Sequence, residues 1–281
     1  MDETIGILCK CSQREFRSWQ EPDRRDNMLR MLKTIATRML GKELKGKIGN
    51  YLRERRVLGF YSRFIREGDL CFDIGANVGE KTFIFRELGA KVVSVEPQKE
   101  CLNALKRRFG GDDRVTIVGK AVGKQEGVAE MMLSEKNIIS SLSSEWVEKV
   151  SNSGRFVADV WTGKVRVSVT TIDKLIENYG SPVFCKIDVE GYELEVLEGL
   201  SRPIKYVCFE FTPERREEAL KCVDRLSSLG RAKFNYSRAE SCRFEFRYWV
   251  DGSRIGDLLS GMPVKEDTGF NWGDVYARYE M

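Results

Sequence analysis

Charged side chains end two predicted parallel strands, the position where open α/β sheets usually carry out their chemistry. The run Val183–Glu193 predicts a buried strand, yet Lys186, Asp188 and Glu190 share one side of it at a period of two. Because a buried, unpaired charge costs several kcal/mol, these groups must meet a ligand, water or one another. An internal ion pair between Lys186 and Asp188 is the alternative without a function. Glu210 ends the next predicted strand, at the same edge of the sheet.

The 281-residue chain has no histidine. This excludes Ser-His and Cys-His nucleophilic machinery as well as histidine-based metal sites. Any proton transfer must therefore use Asp, Glu, Lys or Tyr. The candidates for a general base are Asp188, Glu190 and Glu210, and Lys186 is the candidate for an orienting or charge-balancing group. Asp188 and Glu190 alone offer too few ligands for a metal ion, so no metal site is expected.

The chain also contains a glycine turn between two further predicted strands. We expect this turn to position the charged groups at the strand ends. The apolar run Leu70–Ile74 is interrupted only by Asp73, as expected of a central parallel strand. Gly75 and Gly79 follow, with Asn77 between them, and they allow a sharp turn and a close approach of the backbone to a ligand. A short helical pattern and a second buried strand come next, so this region predicts a βαβ unit.

A nucleoside is the ligand that this unit favours. Backbone N–H groups and the positive end of a helix face the ligand, and Glu96, at the end of the second strand, can accept hydrogen bonds from both ribose hydroxyls. The spacing G-x-x-x-G differs from the G-x-G-x-x-G of dinucleotide sites, and Asp73 suits a cationic amino-acid group. S-adenosylmethionine is therefore favoured over NAD. A packing turn without a ligand is the alternative.

The third strand is followed by Gly119 and Gly123 around Ala121. Two glycines around a small residue permit a close backbone approach, so Ala121 is predicted to pack against the adenine ring. A plain strand-to-hairpin turn is an equally good interpretation of these residues.

Alternating strand and helix patterns through the rest of the chain indicate a mostly parallel sheet with helices on both faces. Two late runs, residues 244–250 and 274–279, predict an antiparallel pair at the sheet edge. Residues 1–57 form a predicted basic helical extension, and residues 58–281 form the predicted nucleoside-binding domain. The basic residues of the extension indicate a solvated helix face, with a substrate lid or a surface for an acidic partner as the alternative.

Four stretches together resemble the FkbM family of S-adenosylmethionine-dependent methyltransferases: DIGANVGEKTFIF, VVSVEPQ, VTTIDKL and FCKIDVEGYELEVLEGL. They fall within Phe60–Phe211, and KIDVEG is the most discriminating block. The resemblance implies an α/β fold of class I methyltransferase type, which is a Rossmann-like, mostly parallel sheet with a C-terminal antiparallel edge strand and helices on both faces. It also implies O-methylation of a hydroxyl on a small molecule or a glycan. A serine-rich loop of relatives resembles Ser140–Leu142.

The resemblance also assigns roles by position. Glu96 becomes the ribose acid, and Asp188 becomes the floor near the methionine end of the cofactor. The residues implied in cofactor binding are Asp73, Gly75, Asn77, Gly79, Glu96 and Asp188.

Two alternatives to a methyltransferase stay open, an NAD-dependent oxidoreductase and a non-catalytic nucleoside-binding protein. Positive charge is concentrated in residues 1–70, while the remainder is near neutral, so no nucleic-acid partner is expected. No run approaches the roughly 20 apolar residues of a membrane span. The first residues lack the order of a signal peptide, which predicts a cytoplasmic location.

Overall fold

The structure, a computed structural model, describes residues 53–134, 142, 161–266 and 269–280. Residue contacts divide the chain into two units, Met1–Val57 and Leu58–Met281. Of the first unit only residues 53–57 are described, and they are helical. The nature of the predicted basic extension therefore stays a prediction. Ser140 and Ser141 of the predicted serine-rich loop lie outside the described residues.

Strands and helices alternate in two stretches of the described chain, residues 70–118 and 161–266, and further strands lie between and after these stretches. The strands are β1 (Leu70–Ile74), β2 (Lys91–Val95), β3 (Val115–Val118), β4 (Ala121–Val122), β5 (Gly127–Ser134), β6 (Trp161–Thr170), β7 (Phe184–Ile187), β8 (Tyr206–Phe211), β9 (Ala232–Arg238), β10 (Lys265–Glu266), β11 (Gly269–Phe270) and β12 (Gly273–Tyr279). The helices are α1 (Glu80–Glu87), α2 (Lys99–Phe109), α3 (Ile172–Tyr179), α4 (Glu193–Glu198), α5 (Arg216–Ser228) and α6 (Gly252–Gly261).

Seven strands form the central sheet in the order β3-β2-β1-β7-β8-β12-β9. β1 runs parallel to both β2 and β7, and β7 runs parallel to β8. The chain leaves β1 toward β2 on one side and returns as β7 on the other, so the order reverses between β1 and β7. Ligands bind outside the carboxyl ends of the strands at such a switch point. The predicted fold class is confirmed.

The antiparallel strand at the end of the chain, β12, lies one place inside the sheet edge. It pairs with β8 on one side and with β9 on the other, and β9 forms the edge. A second, three-stranded sheet in the order β4-β6-β5 stands beside the central one. Its small core contains Ala121, Met131 and Val167, with Leu142 packed against them.

The predicted strand at residues 244–250 is wrong, because this segment forms only one isolated bridge, between Phe234 and Val250. The Asn235 side chain explains the difference. Its Nδ2 donates to the carbonyl of Phe246 at 2.9 Å, and its Oδ1 accepts from the Phe246 N–H at 3.1 Å. A side chain thus occupies the backbone groups that a strand ladder would have used.

The two faces of the central sheet are packed differently. One face carries the main hydrophobic core, with Ile187 and Phe209 fully buried against helices that include α5. On the other face, aromatic rings meet edge to face, with the Phe60 ring centroid 5.5 Å from Tyr276 and 5.2 Å from Phe244. Among the described residues, no helix has the length and apolar character needed to cross a membrane.

Candidate active site

The glycine turn brings the end of β1 against the residue that follows β7. Gly75 has a φ of 79°, and a Cβ added to it would lie 1.8 Å from the carbonyl oxygen of Asp188. Gly79 has a φ of 85°, and its Cβ would lie 2.5 Å from a ring carbon of Phe109 on α2. Both positions therefore require glycine for two reasons, the left-handed backbone and the missing side chain. The turn is held against both neighbouring elements.

Glu96 lies just after β2 and faces the same turn. Its two carboxylate oxygens accept from the backbone N–H groups of Asn77 at 2.9 Å and Gln98 at 2.8 Å. Burial raises the pKa of Glu96 to about 7. Each carboxylate oxygen has a second lone pair beyond these contacts, so the group can still accept hydrogen bonds from two ribose hydroxyls. The predicted ribose acid thus stands at the turn in an orientation that fits this role.

Asp73 lies inside the fold, beneath the turn. Its carboxylate accepts from the Thr82 hydroxyl on α1 at 2.6 Å, and that hydroxyl lies 2.8 Å from the Ser94 hydroxyl on β2. Burial raises the pKa of Asp73, although the hydrogen bond from Thr82 acts in the opposite direction. Asp73 therefore ties β1 to α1 and β2. Its contact with the cofactor stays a prediction.

A buried ammonium group lies at the centre of the charged cluster. Lys186 on β7 is 1% exposed, and its Nζ lies 3.1 Å from Asp188 Oδ2 and 3.0 Å from Asp274 Oδ1 on β12. Burial alone lowers the pKa of Lys186, but the carboxylates of Asp188 and Asp274 raise it well above its ordinary value. The ion pair that the sequence left as an alternative is therefore present, with a second carboxylate.

The predicted strand geometry around Glu190 is wrong. β7 ends at Ile187, and Glu190 takes a left-handed backbone with a φ of 54°. The buried Glu193 carboxylate accepts from the N–H groups of Val189 at 3.2 Å and Gly191 at 3.1 Å. These bonds replace those of a strand ladder, so Glu190 is positioned by a turn and not by strand alternation.

The turn nevertheless brings the predicted carboxylates together. One carboxylate oxygen from each of Asp188, Glu190 and Glu210 lies within 4.8 Å of the others. Burial, followed by the charges of Asp188 and Glu190, raises the pKa of Glu210 well above its ordinary value. Carboxylates at this distance suit proton sharing, and oxygen ligands also suit hard cations. The expectation of no metal site rested on two carboxylates, and the structure adds a third. The absence of a metal site therefore stays a prediction.

Ala121 is buried in the small core of the second sheet, so its predicted contact with adenine stays a prediction.

The sequence missed three residues that organise the site: Thr82, Glu193 and Asp274. The alternating pattern of β12 placed Asp274 on a strand, but nothing local indicated which strands would flank it. The sequence did contain one signal for Asp274. Lys186 lies in a predicted buried strand, and a buried lysine needs carboxylate partners.

The sheet order, the antiparallel β12 and a glycine turn facing the buried Glu96 carboxylate at the switch point are the arrangement of the class I methyltransferase fold. The sequence model of a protein family, the methyltransferase FkbM domain, matches residues 73–237 of this chain. The chain therefore belongs to the FkbM methyltransferase family, which confirms the family and the cofactor, S-adenosylmethionine, predicted from the sequence.

The chain is also similar to individual known proteins. The hexuronic acid methyltransferase AglP of Haloferax volcanii is 26% identical over 160 residues, which are 56% of this chain and 60% of that protein. A precorrin-6y C5,15-methyltransferase from Geobacter metallireducens shares 10% identity at a TM-score of 0.44, covering 81% of this chain and 87% of its own. An S-adenosylmethionine-dependent O-methyltransferase from Thermotoga maritima shares 13% at 0.38, covering 80% and 64%.

Proposed function

We propose that this chain transfers a methyl group from S-adenosylmethionine to a hydroxyl of a small molecule or a glycan. The observation that carries the proposal is the cluster of Asp188, Glu190 and Glu210 beside the glycine turn. It supplies a proton acceptor next to the place where the cofactor would bind. The name of the Haloferax relative, a hexuronic acid methyltransferase, supports a sugar as the acceptor.

In this proposal, some of the residues bind the cofactor and others take part in proton transfer. Glu96 would hold the ribose hydroxyls, and Gly75 would let the backbone approach the cofactor. When bound, S-adenosylmethionine supplies an electrophilic methyl group on a sulfonium. Holding the acceptor oxygen about 3–3.5 Å from the methyl carbon supplies much of the acceleration. Asp188, fixed by its ion pair with Lys186, would orient the groups around that oxygen.

Glu210 is the proposed general base. A carboxylate of ordinary pKa is a weak base toward a hydroxyl, whereas one whose pKa is raised accepts a proton more readily. Burial raises the pKa of Glu210, with Asp188 and Glu190 adding to the effect. Asp188, in contrast, already has a cationic partner in Lys186. Glu210 therefore suits proton transfer, and Asp188 suits positioning.

A panel of acceptors tests the proposal. The chain is incubated with methyl-labelled S-adenosylmethionine and free hexuronic acids, neutral hexoses and small alcohols, and each product is examined by mass spectrometry. We expect one acceptor class to gain a labelled methyl group on oxygen. Calorimetry with S-adenosylhomocysteine and NAD runs beside it. Tight binding of NAD alone would favour an oxidoreductase, and binding of S-adenosylhomocysteine without methyl transfer to any acceptor would favour a non-catalytic protein.

A further inference from the structure

The Lys186 ammonium has three acceptors for its three N–H groups. Besides Asp188 and Asp274, the carbonyl of Ile187 lies 3.4 Å from Nζ. The two carboxylates differ in environment, because the Asp274 side chain is 14% exposed and that of Asp188 is 34% exposed. The more enclosed carboxylate is therefore the one on β12, away from the glycine turn. An ammonium with every donor engaged has little freedom to turn.

The Asp274 carboxylate also has a second hydrogen-bond partner. Its second oxygen, Oδ2, accepts from the Tyr276 hydroxyl at 3.4 Å. Tyr276 is 2% exposed, and its ring packs against Phe60 at 5.5 Å and Phe244 at 5.2 Å between centroids. The position of Asp274 is thus set by an aromatic cluster on the same face of the sheet. It is not set by solvent.

Asp188 is the more exposed end of this chain of contacts. Its backbone is fixed, because its N–H donates to the Ile74 carbonyl at 2.9 Å and its own carbonyl lies against Gly75. Its carboxylate, in contrast, is a third exposed, and Lys186 is the cation that contacts it. Without Asp274, the ion pair with Asp188 would be the one left to Lys186 among the described residues, and the ammonium would no longer be held from its other side. Two opposed carboxylates keep the ammonium between them.

We infer that Asp274 is a positioning residue, which acts through Lys186 to hold the Asp188 carboxylate beside the glycine turn. The inference rests on the proposed function, in which the chain binds S-adenosylmethionine, and on the family resemblance, which places Asp188 near the methionine end of that cofactor. Asp274 does not touch the reacting atoms. Its effect on the cofactor passes through one side chain, so it must disappear when that side chain is removed.

A double-mutant cycle on cofactor affinity tests this dependence. S-adenosylhomocysteine binding is measured by calorimetry for the full chain and for Asp274→Asn, Lys186→Met and the double variant. We expect Asp274→Asn to weaken binding about tenfold, since coupled neighbours typically interact at that level. In the Lys186→Met background the same substitution should cause no further loss. Asp274→Glu, which keeps the charge, should restore most of the affinity.

Asp251→Ala is the control for general destabilisation. Asp251 caps α6 by accepting from the Arg254 N–H at 2.9 Å, away from the cluster. This variant should lower the melting temperature and leave the affinity unchanged, which separates general destabilisation from positioning. Equal losses from Asp274→Asn in both backgrounds, or no loss in either, would overturn the inference alone. A wild-type chain that does not bind S-adenosylhomocysteine would overturn the proposed function and this inference with it.

Discussion

The two halves of the candidate site are built in different ways. The nucleoside half consists of Gly75, Asn77, Gly79 and Glu96. The carboxylate half consists of Lys186, Asp188, Glu190, Glu210 and Asp274. The first half comes from one βαβ unit, and its contacts are mostly made by the backbone. The second is assembled from β7, β8 and β12, and its contacts are made by charged side chains.

This difference separates what each half can control. Backbone contacts and one buried carboxylate suit a ligand of constant structure, which is the cofactor. Side chains with charges close together suit proton transfer, because their protonation depends on one another. We therefore expect changes in the nucleoside half to act mainly on binding and stability, and changes of Glu190 and Glu210 in the carboxylate half to act mainly on turnover. Lys186 and Asp274 act on binding, through Asp188.

The largest expected effect is on turnover, from Glu210→Gln. Removing a general base should lower kcat about 10²–10⁴-fold, with S-adenosylhomocysteine affinity unchanged. The assay uses the acceptor that gains a methyl group in the panel. Glu190→Gln is the matched control, with the same chemical change on the neighbouring carboxylate and a smaller loss. If Glu210→Gln turns over normally while Glu190→Gln or Asp188→Asn does not, the base has been assigned to the wrong residue.

Gly75→Ala should be the most damaging change in the nucleoside half. A left-handed backbone and a Cβ 1.8 Å from the Asp188 carbonyl together cost about 2–5 kcal/mol of unfolding free energy. Cofactor binding should be lost, because the turn must move. Gly68→Ala is the matched control, since Gly68 has a φ of 84° and nothing within 4 Å of its added Cβ. Chemical denaturation and calorimetry compare the two, and equal losses would show that the contact with Asp188 has no consequence.

Cofactor affinity should also depend on pH through Glu96. Ribose hydroxyls donate to the ionised carboxylate, whereas burial raises the pKa of the ligand-free group to about 7. Below that pH, binding must displace a proton, so affinity should fall by up to about tenfold for each pH unit. In Glu96→Gln this dependence should be absent. Calorimetry at pH 8, 7 and 6 measures both proteins, and a wild-type affinity that is flat across this range would contradict the assigned role.

The same shift has the opposite consequence for the ligand-free fold. The pKa of Glu96 rises from 4.5 to about 7 on folding, so the folded chain binds the proton more tightly than the unfolded chain. This contribution to stability is fully present below about pH 4.5 and is lost as the pH rises through 7. Bound cofactor should reduce this loss.

The smallest expected effect is that of a chelator. If Asp188, Glu190 and Glu210 work by sharing protons, EDTA should leave kcat unchanged, and added Mg²⁺ or Mn²⁺ should not raise it. Turnover that is lost with EDTA and restored by one of these ions would instead assign the three carboxylates to a cation.

The nucleoside half could be predicted from the sequence because its information is local. The glycines, Asn77 and Glu96 follow one another within a single βαβ unit. Spacing along the chain is enough for such features.

The carboxylate half could be predicted only in part, because its geometry depends on contacts between distant residues. Lys186 and Asp274 are 88 positions apart, and their contact follows from the insertion of β12 beside β8. The early end of β7 and the missing strand at residues 244–250 have one cause in common. In both places a side chain, Glu193 or Asn235, forms hydrogen bonds with backbone groups. The alternating sequence pattern had predicted that these groups would pair with a neighbouring strand.

The pairing of Lys186 with Asp274 also sets an order of events during synthesis. A ribosome adds about 5–20 residues per second, so Asp274 is made roughly 4 to 18 seconds after Lys186. During that interval the nascent chain has one carboxylate partner in place of two for a lysine destined for the interior. A ribosome stalled before Asp274 would therefore hold a chain in which Lys186 lacks one of the two carboxylates that it contacts in the folded domain.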